Sequence, residues 1–515
     1  MRAPGAGVGS KPVRRAGVAQ SEARLLASGA LLQQVAQGAG LLVLLTIVTI
    51  LARRLSVSEL GAYGLVASLA GYLLVLRNSV AASAVRAMAA AVEPGERRMV
   101  FSAAAALYAV AGLATGVLIA GAALLIAGLI LDGDLAADAR VGGVSLGAVT
   151  AVGVAASVCL DALRAERQFV RAAGTEIAAV ALYLASMLAL IFAGAGLGAL
   201  IAASGGLPLY SGVLSALVAR RAGLGLRFQP SAATRPRVMA IVPTAGWLLV
   251  IELCNMAMYA FSRVILGAYR SPRAVGLFEG PVRSHNLLYA LGGALAVPVV
   301  PTASRYLSTR DERRLRDLAV RGTRYTLALF VPVCVTLIVL AGPILEAWLG
   351  DRYGDGDVAL AILVSYWLLY GGLVVTPGFL VGVGRAREVA RIMVAVAVSN
   401  LAMSLILTPE LGIEGPAIAT AAPFFIAFPF LLRVGLGSSG ASLHDLAARA
   451  WGPNYVLGAL LAAGLVLGRA VLPMDETAAV LGLAAGGVLA YWALFFRLVL
   501  AVDERALVRG LVSRT

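Results

Sequence analysis

Residues 220–238 read RRAGLGLRFQPSAATRPRV: five arginines and no acid, close to the middle of a 515-residue chain, with a long apolar run on either side. Outward from this stretch, apolar runs and basic gaps alternate along the whole sequence. Fourteen runs can be marked between residues 28 and 500. Most have about 20 residues, enough for a helix to cross roughly 30 Å of hydrocarbon. With the amino terminus taken as one side, that side's gaps hold 31 of the 42 lysines and arginines, the opposite gaps 7, and 4 lie within runs. Basic residues in short loops stay in the cytoplasm during insertion. The expected fold is therefore an all-α polytopic membrane protein with about 14 spans and both termini cytoplasmic.

Composition agrees. A mean hydropathy of +0.90 with 60% hydrophobic and 13% charged residues excludes a soluble globular chain. The net charge of +15 is spread over short loops, so it points to anionic membrane lipid rather than to nucleic acid. Cys159, Cys254 and Cys334 each sit in an apolar run, and His285 and His444 lie far apart, so no disulfide framework, metal site or cofactor is implied. The single lysine, Lys11, follows Ser10, which excludes a nucleotide-binding GxxxxGK[ST] loop. The first 24 residues read as a basic cytoplasmic tail rather than a signal peptide, and the run after them as the first membrane helix.

The central basic stretch falls between the sixth and seventh runs, where two six-helix halves would join. A repeat supports that reading. SVSELGAY at 56–63 matches SPRAVGLF at 271–278, sharing Ser, Gly and a closing aromatic at an offset of 215. RAERQFVR at 164–171 matches RAREVAR at 385–391, offset 221, and GALIAA from 198 matches GPAIAT from 415, offset 217. Six spans per half is an even number, so both halves insert the same way up, a parallel repeat suited to alternating access. The expected organisation is a tail over 1–27, an N-lobe over 28–219, a linker over 220–238, a C-lobe over 239–433, and two extra helices with the C-terminal tail over 434–515.

At this point the residues also resemble a family. LARRLSVSELGAYGLVASLAGYL at 51–73, AVRAMAA at 84–90, RVILGAYRSPRAVGLFEGPVR at 263–283 and PTASRYLSTRDERRL at 301–315 resemble Wzx-type polysaccharide flippases. So do AWLGDRYGDG at 347–356 and the stretch from Gly382 to Ala421, the most specific of these strings. The similarity covers roughly residues 25–433. It implies a superfamily shared with lipid II flippases and multidrug antiporters, and a fold of two six-helix lobes around a cleft, with two C-terminal helices in some members. It also implies the substrate: an undecaprenyl-pyrophosphate-linked oligosaccharide, such as an O-antigen unit for lipopolysaccharide, moved from the cytoplasmic to the outer leaflet of a bacterial inner membrane. A polysaccharide polymerase or glycosyltransferases are the implied partners.

Four arginines fall within runs: Arg77, Arg86, Arg263 and Arg283. A mid-bilayer arginine costs about 2.5–3.5 kcal/mol on insertion scales, so it normally faces protein or water. Arg77 and Arg86 are nine residues apart, about 180° around a helix, and one cleft cannot receive both; snorkelling to the interface is the competing role for Arg86. Glu279 precedes Arg283 by four residues, so a local ion pair is the plain expectation there. Glu252 has no cation within four residues, and either pairing with Arg77 across the cleft or uptake of a coupling proton would suit it. Gln33, Gln34 and Gln37 in the first run, and Asn255, His285 and Asn286, suit contacts to sugar hydroxyls or hydrogen bonds between helices. The expected cleft set is Arg77, Arg86, Glu252, Arg263, Arg283, His285, Gln33, Gln37 and Asn255.

Arginine forks match phosphate oxygens, so such a cleft suits a lipid pyrophosphate. A multidrug or organic-cation antiporter would want acids in the cleft, where cations outnumber them here. A polyprenyl glycosyltransferase or polymerase would want a large outer loop bearing carboxylates, and the longest outer gap is about a dozen residues. A lipid II flippase differs only in the attached sugar. Pro243, Pro298, Pro301, Pro332, Pro377, Pro423 and Pro429 predict kinked or broken spans.

Overall fold

The computed structural model describes residues 32, 35–91, 93–224, 228–241, 246–296, 299–501 and 504–506, and helices make up its regular structure. In the first half, α1 spans Val35–Arg54, α2 Val57–Ala90, α3 Pro94–Leu129, α4 Gly133–Ala165 and α5 Phe169–Phe192. α6 is the pair Leu197–Ala203 and Gly206–Arg221, bent by 42°. In the second half, α7 spans Gly246–Tyr269, α8 Pro272–Ala296, α9 Glu312–Val339, α11 Ala386–Leu411 and α12 Glu414–Ser439. Between α9 and α11, α10 is broken into Asp357–Ser365, Trp367–Tyr370 and Thr376–Gly382. α13 (Leu443–Val471) and α14 (Thr477–Val499) complete the chain. Ten helices among the described residues are long and apolar enough to cross a membrane, eleven with the bent pair. Together with α7, α8 and broken α10 they make a polytopic all-α fold of about 14 spans, two six-helix lobes and two further helices.

The ends of these helices are set by caps and prolines. Ser56 accepts from the Glu59 backbone at 3.2 Å and the Glu59 carboxylate accepts from the Ser56 amide at 2.7 Å, a reciprocal box that starts α2. Ser271, the repeat's counterpart of Ser56, accepts from the Ala274 amide at 3.2 Å at the start of α8. Pro94 begins α3 where its missing N–H costs nothing. Asp311 caps α9 through the Arg314 amide at 3.0 Å. α9 begins well before the apolar run that marked it, because hydropathy locates lipid while an N-capped amphipathic helix runs on into water.

Small residues let helices meet. A Cβ on Gly116 of α3 would lie 2.6 Å from the Gly147 carbonyl of α4, and one on Gly147 would lie 2.5 Å from the Gly116 carbonyl. The prolines break less than expected. Pro332 lies inside unbroken α9 and Pro423 inside unbroken α12, both buried against neighbouring helices, and Pro429 lies exposed inside the same unbroken α12. Pro281, inside α8, belongs with them. Pro377 starts the last piece of α10, Pro301 lies within the short helix Val299–Ser308, and Pro243 and Pro298 lie outside the described residues. The interruption of α10 is held by an aromatic layer: Trp367 stacks on Phe330 at 5.1 Å and Tyr366 on Phe424 at 4.6 Å.

The lobes close on each other at the arginine-poor end of the bundle. There the starts of α2 and α8 cross, and a Cβ on Gly61 would overlap the Pro272 carbonyl while one on Gly276 would overlap that of Val57. The end of α1 adds a second seam: Trp348 donates to Thr49 Oγ1 at 2.6 Å, Arg53 to the Ala347 carbonyl at 3.0 Å and Arg352 to the Ala52 carbonyl at 3.2 Å. The expected linker packs on the first lobe, with the Gln229 amide donating to Ser102 Oγ at 3.0 Å and Val238 packed against the cluster that holds Met88 and Phe101. α13 and α14 lean on α9 and α10 through Trp492 to the Ala328 carbonyl at 2.9 Å and Tyr455 to the Leu368 carbonyl at 2.6 Å. The expected tail over 1–27 lies outside the described residues.

Candidate substrate cavity

Beyond the α2–α8 crossing, toward the arginine-rich end, the lobes part around a cavity of about 1780 Å³. α1 contributes Gln37 and Leu41, α2 Tyr63, Ser68 and Tyr72, α5 Tyr183, α6 Ser204 and Pro208, α7 Arg263, and α8 Arg283 and Asn286. Both lobes therefore line it.

Its charged centre is built on one carboxylate. Arg263 Nε donates to Glu279 Oε1 at 2.7 Å, and Arg283 Nε donates to Glu279 Oε2 at 3.0 Å. Arg263 Nη1 reaches across the lobes to donate to the Tyr72 hydroxyl at 2.7 Å. Arg263 Nη2 is buried and has no hydrogen-bond partner. Arg263 and Glu279 side chains are each 1% exposed, and Arg283 is 10% exposed. Space for the carboxylate comes from Gly64, where a Cβ would overlap Glu279. Two guanidinium groups share one carboxylate, so the cluster keeps one positive charge in excess.

Arg77 is committed elsewhere. Its Nη2 pairs with Asp161 of α4 at 2.7 Å and its Nε donates to Ser157 at 3.2 Å. Asp161 also accepts from Tyr108 at 2.6 Å and Arg164 at 2.8 Å, and Arg164 pairs with Glu176 at 2.9 Å. Two cations and two acids balance within the first lobe, beside a second cavity of about 890 Å³ lined by Gln37, Arg77, Asn78 and Glu176. The partner of Arg77 is thus Asp161 of its own lobe.

The other expected cleft residues separate. Arg86 is exposed, and its guanidinium donates to Ser83 at 3.2 Å. His285 is 2% exposed and faces α10, with Nε2 2.7 Å from the Tyr366 hydroxyl and its ring 5.8 Å from Trp367. Asn255 donates to the Tyr289 hydroxyl at 2.9 Å, joining α7 to α8. Gln37 is exposed and lines both cavities. Gln33, Gln34 and the side chain of Glu252 lie outside the described residues. The structure thus gathers Arg263, Arg283 and Gln37 at one cavity, and Arg77 with Gln37 at the other. Sequence reading missed Tyr72, Asp161 and Glu176. The spacing of Asp161 before Arg164 was a usable sign, but nothing in the sequence joins Tyr72 to Arg263, 191 positions away.

Comparison with known proteins places this geometry. Residues 50–356 match the family model described as polysaccharide biosynthesis protein. The "Probable flippase AglR" of Haloferax volcanii is 27% identical over 241 residues, 45% of this chain and 48% of that protein. The "Probable low-salt glycan biosynthesis flippase Agl15" of the same organism is 24% identical over 162 residues, 32% of this chain and 34% of that protein. The matched stretches thus span about half and about a third of these curated relatives. A solved structure of the lipid II flippase MurJ, in an inward closed conformation, superposes with a TM-score of 0.70 at 15% identity, covering 91% of this chain and 99% of that one. An inward-facing multidrug resistance transporter of the MATE family gives 0.60 at 16% identity, covering 80% and 98%. The two solved structures share the two-lobed fold, and the family match spans more than half the sequence: the chain belongs to the polysaccharide biosynthesis protein family.

Proposed function

We propose that this protein is a flippase that moves a polyprenyl-pyrophosphate-linked oligosaccharide from the cytoplasmic to the outer leaflet by alternating access, for cell-surface glycan synthesis. The observation that carries the reading is the Arg263–Glu279–Arg283 cluster, one cation in excess on a cavity between two lobes. The named flippase relatives and the family support the same direction. With the arginine-rich loops in the cytoplasm, both termini are cytoplasmic and the structure is inward-facing, sealed on its outer side by the α2–α8 crossing.

A pyrophosphate head group with about two negative charges does not cross hydrocarbon alone. In the cavity it meets Arg283, where charge-assisted hydrogen bonds replace lost water, with the charge of the buried Arg263 guanidinium behind it. The prenyl tail remains in lipid while the sugars occupy the cavity beside Gln37, Ser68 and Asn286. With the cell interior negative, outward movement of each charge is favoured by about 2.3 kcal/mol per 100 mV. A polymerase or glycosyltransferases would act on the delivered or incoming substrate. Cells carrying Arg283→Ala should lose surface glycan while the protein still inserts; unchanged glycan at equal protein level would overturn the assignment.

A further inference from the structure

A separate groove of about 1010 Å³ runs between α11 and α12 on the outer face of the second lobe. Its body is apolar, walled by Ala395, Pro423, Ile426 and Phe430, with Ile426 and Phe430 63% and 60% exposed. Its arginine-rich end carries Glu388, Arg391 and Arg433. Glu388 is already matched by Arg385 at 3.0 Å, and Arg385 is held in turn by Ser438 at 2.8 Å. Arg391 and Arg433 are exposed and form no hydrogen bond or ion pair with any other described residue. None of these residues lines the central cavity.

We propose that this groove is a binding site for an anionic glycerophospholipid, with one acyl chain along α11 and α12 and the phosphate between Arg391 and Arg433. Its apolar walls are exposed on the outside of the bundle, so in a membrane a hydrocarbon chain fills it. The occupant's chemistry follows from charge: at the end of the apolar body Arg391 and Arg433 outnumber the one carboxylate, Glu388, which also answers to Arg385, and this net positive end complements a lipid with a net negative head group. The transported lipid is a poorer fit, since the groove shares no lining residue with the cavity between the lobes. α11 packs along α7, which carries Arg263, so a lipid bound here sits one helix from the substrate cavity.

The test uses the full chain, purified and exchanged into micelles containing phosphatidylglycerol or phosphatidylcholine, with bound lipid read by native mass spectrometry. Phosphatidylglycerol should be retained preferentially. Arg391→Gln with Arg433→Gln should weaken its binding roughly tenfold to thirtyfold, from about 1 kcal/mol per arginine. Ala395→Trp, which fills the groove without altering charge, should also abolish retention. A control pair at exposed positions of the same membrane side, Arg313→Gln with Arg316→Gln, should change little. Equal loss in the control pair, undiminished preference in the Arg391/Arg433 pair, or full retention in Ala395→Trp would each overturn the site. Glycan export does not enter the readout, so the result stands apart from the flippase reading.

Discussion

Gly61 and Gly276, 215 positions apart and equivalent in the repeated motif, make the same contact from opposite sides: each lets its helix lie on a backbone carbonyl at the start of the other's helix, Pro272 for Gly61 and Val57 for Gly276. The equivalence continues in the buried aromatics Tyr63 and Phe278, and it fails at Gly64 and Glu279, where the second copy has a carboxylate and the first copy makes room for it. A duplicated segment thus forms the seam, and its departure from symmetry forms the charged site beside it.

The seam should be sensitive to one methyl group. Gly61→Ala or Gly276→Ala places a Cβ onto backbone, which cannot yield as a side chain can. Labelling of a Ser68→Cys reporter by a membrane-impermeant thiol reagent from the arginine-poor side should rise several-fold in either variant. Labelling unchanged from the parent would show that the crossing is not the closed gate.

Glu279 holds the buried Arg263 guanidinium and the partly buried one of Arg283, so Glu279→Ala should destabilise the protein by about 3–5 kcal/mol. The loss should shrink when Arg263→Ala is added, because one of the stranded charges then goes too. Thermal unfolding of the purified variants in detergent measures both.

Arg77→Ala removes one of three donors to a carboxylate that is 1% exposed, which should cost about 1–3 kcal/mol. Its effect should appear in unfolding midpoint before transport, and Arg77→Lys should recover part of it. Full thermal stability in Arg77→Ala would show that Arg164 and Tyr108 suffice.

Outside the spans, Glu504 accepts from Tyr325 and Arg324 of α9 and from the Ala501 amide at 2.9 Å. Burial pushes its carboxyl up, but these hydrogen bonds and the Arg324 charge outweigh it and hold it below the usual glutamate range. Because the folded-state value is lowered, the docking energy is whole above about pH 4.3 and fades as pH falls through the lower folded value. Hydrogen exchange at residues 504–506 should therefore quicken on acidification, and Glu504→Gln should remove that dependence.

The repeat, the spans and the Glu279–Arg283 pair were legible in the sequence, because hydropathy, loop charge and helical spacing are local signals. The partners that decide the site were not. Asp161 lies 84 positions from Arg77 and Tyr72 lies 191 from Arg263, and no periodicity encodes which neighbour a long guanidinium reaches once helices pack. The turn of His285 toward Tyr366 has the same origin, since its orientation follows from an aromatic layer that only the broken α10 creates.

The most direct measurement is translocation in proteoliposomes: a lipid-linked oligosaccharide placed in one leaflet, a membrane potential imposed, and its arrival in the other read by lectin access. At matched incorporation, the parent protein should move the lipid and Arg263→Ala with Arg283→Ala should leave it near the protein-free rate. Equal transport by the double variant would mean that the excess positive charge between the lobes is not what carries the head group.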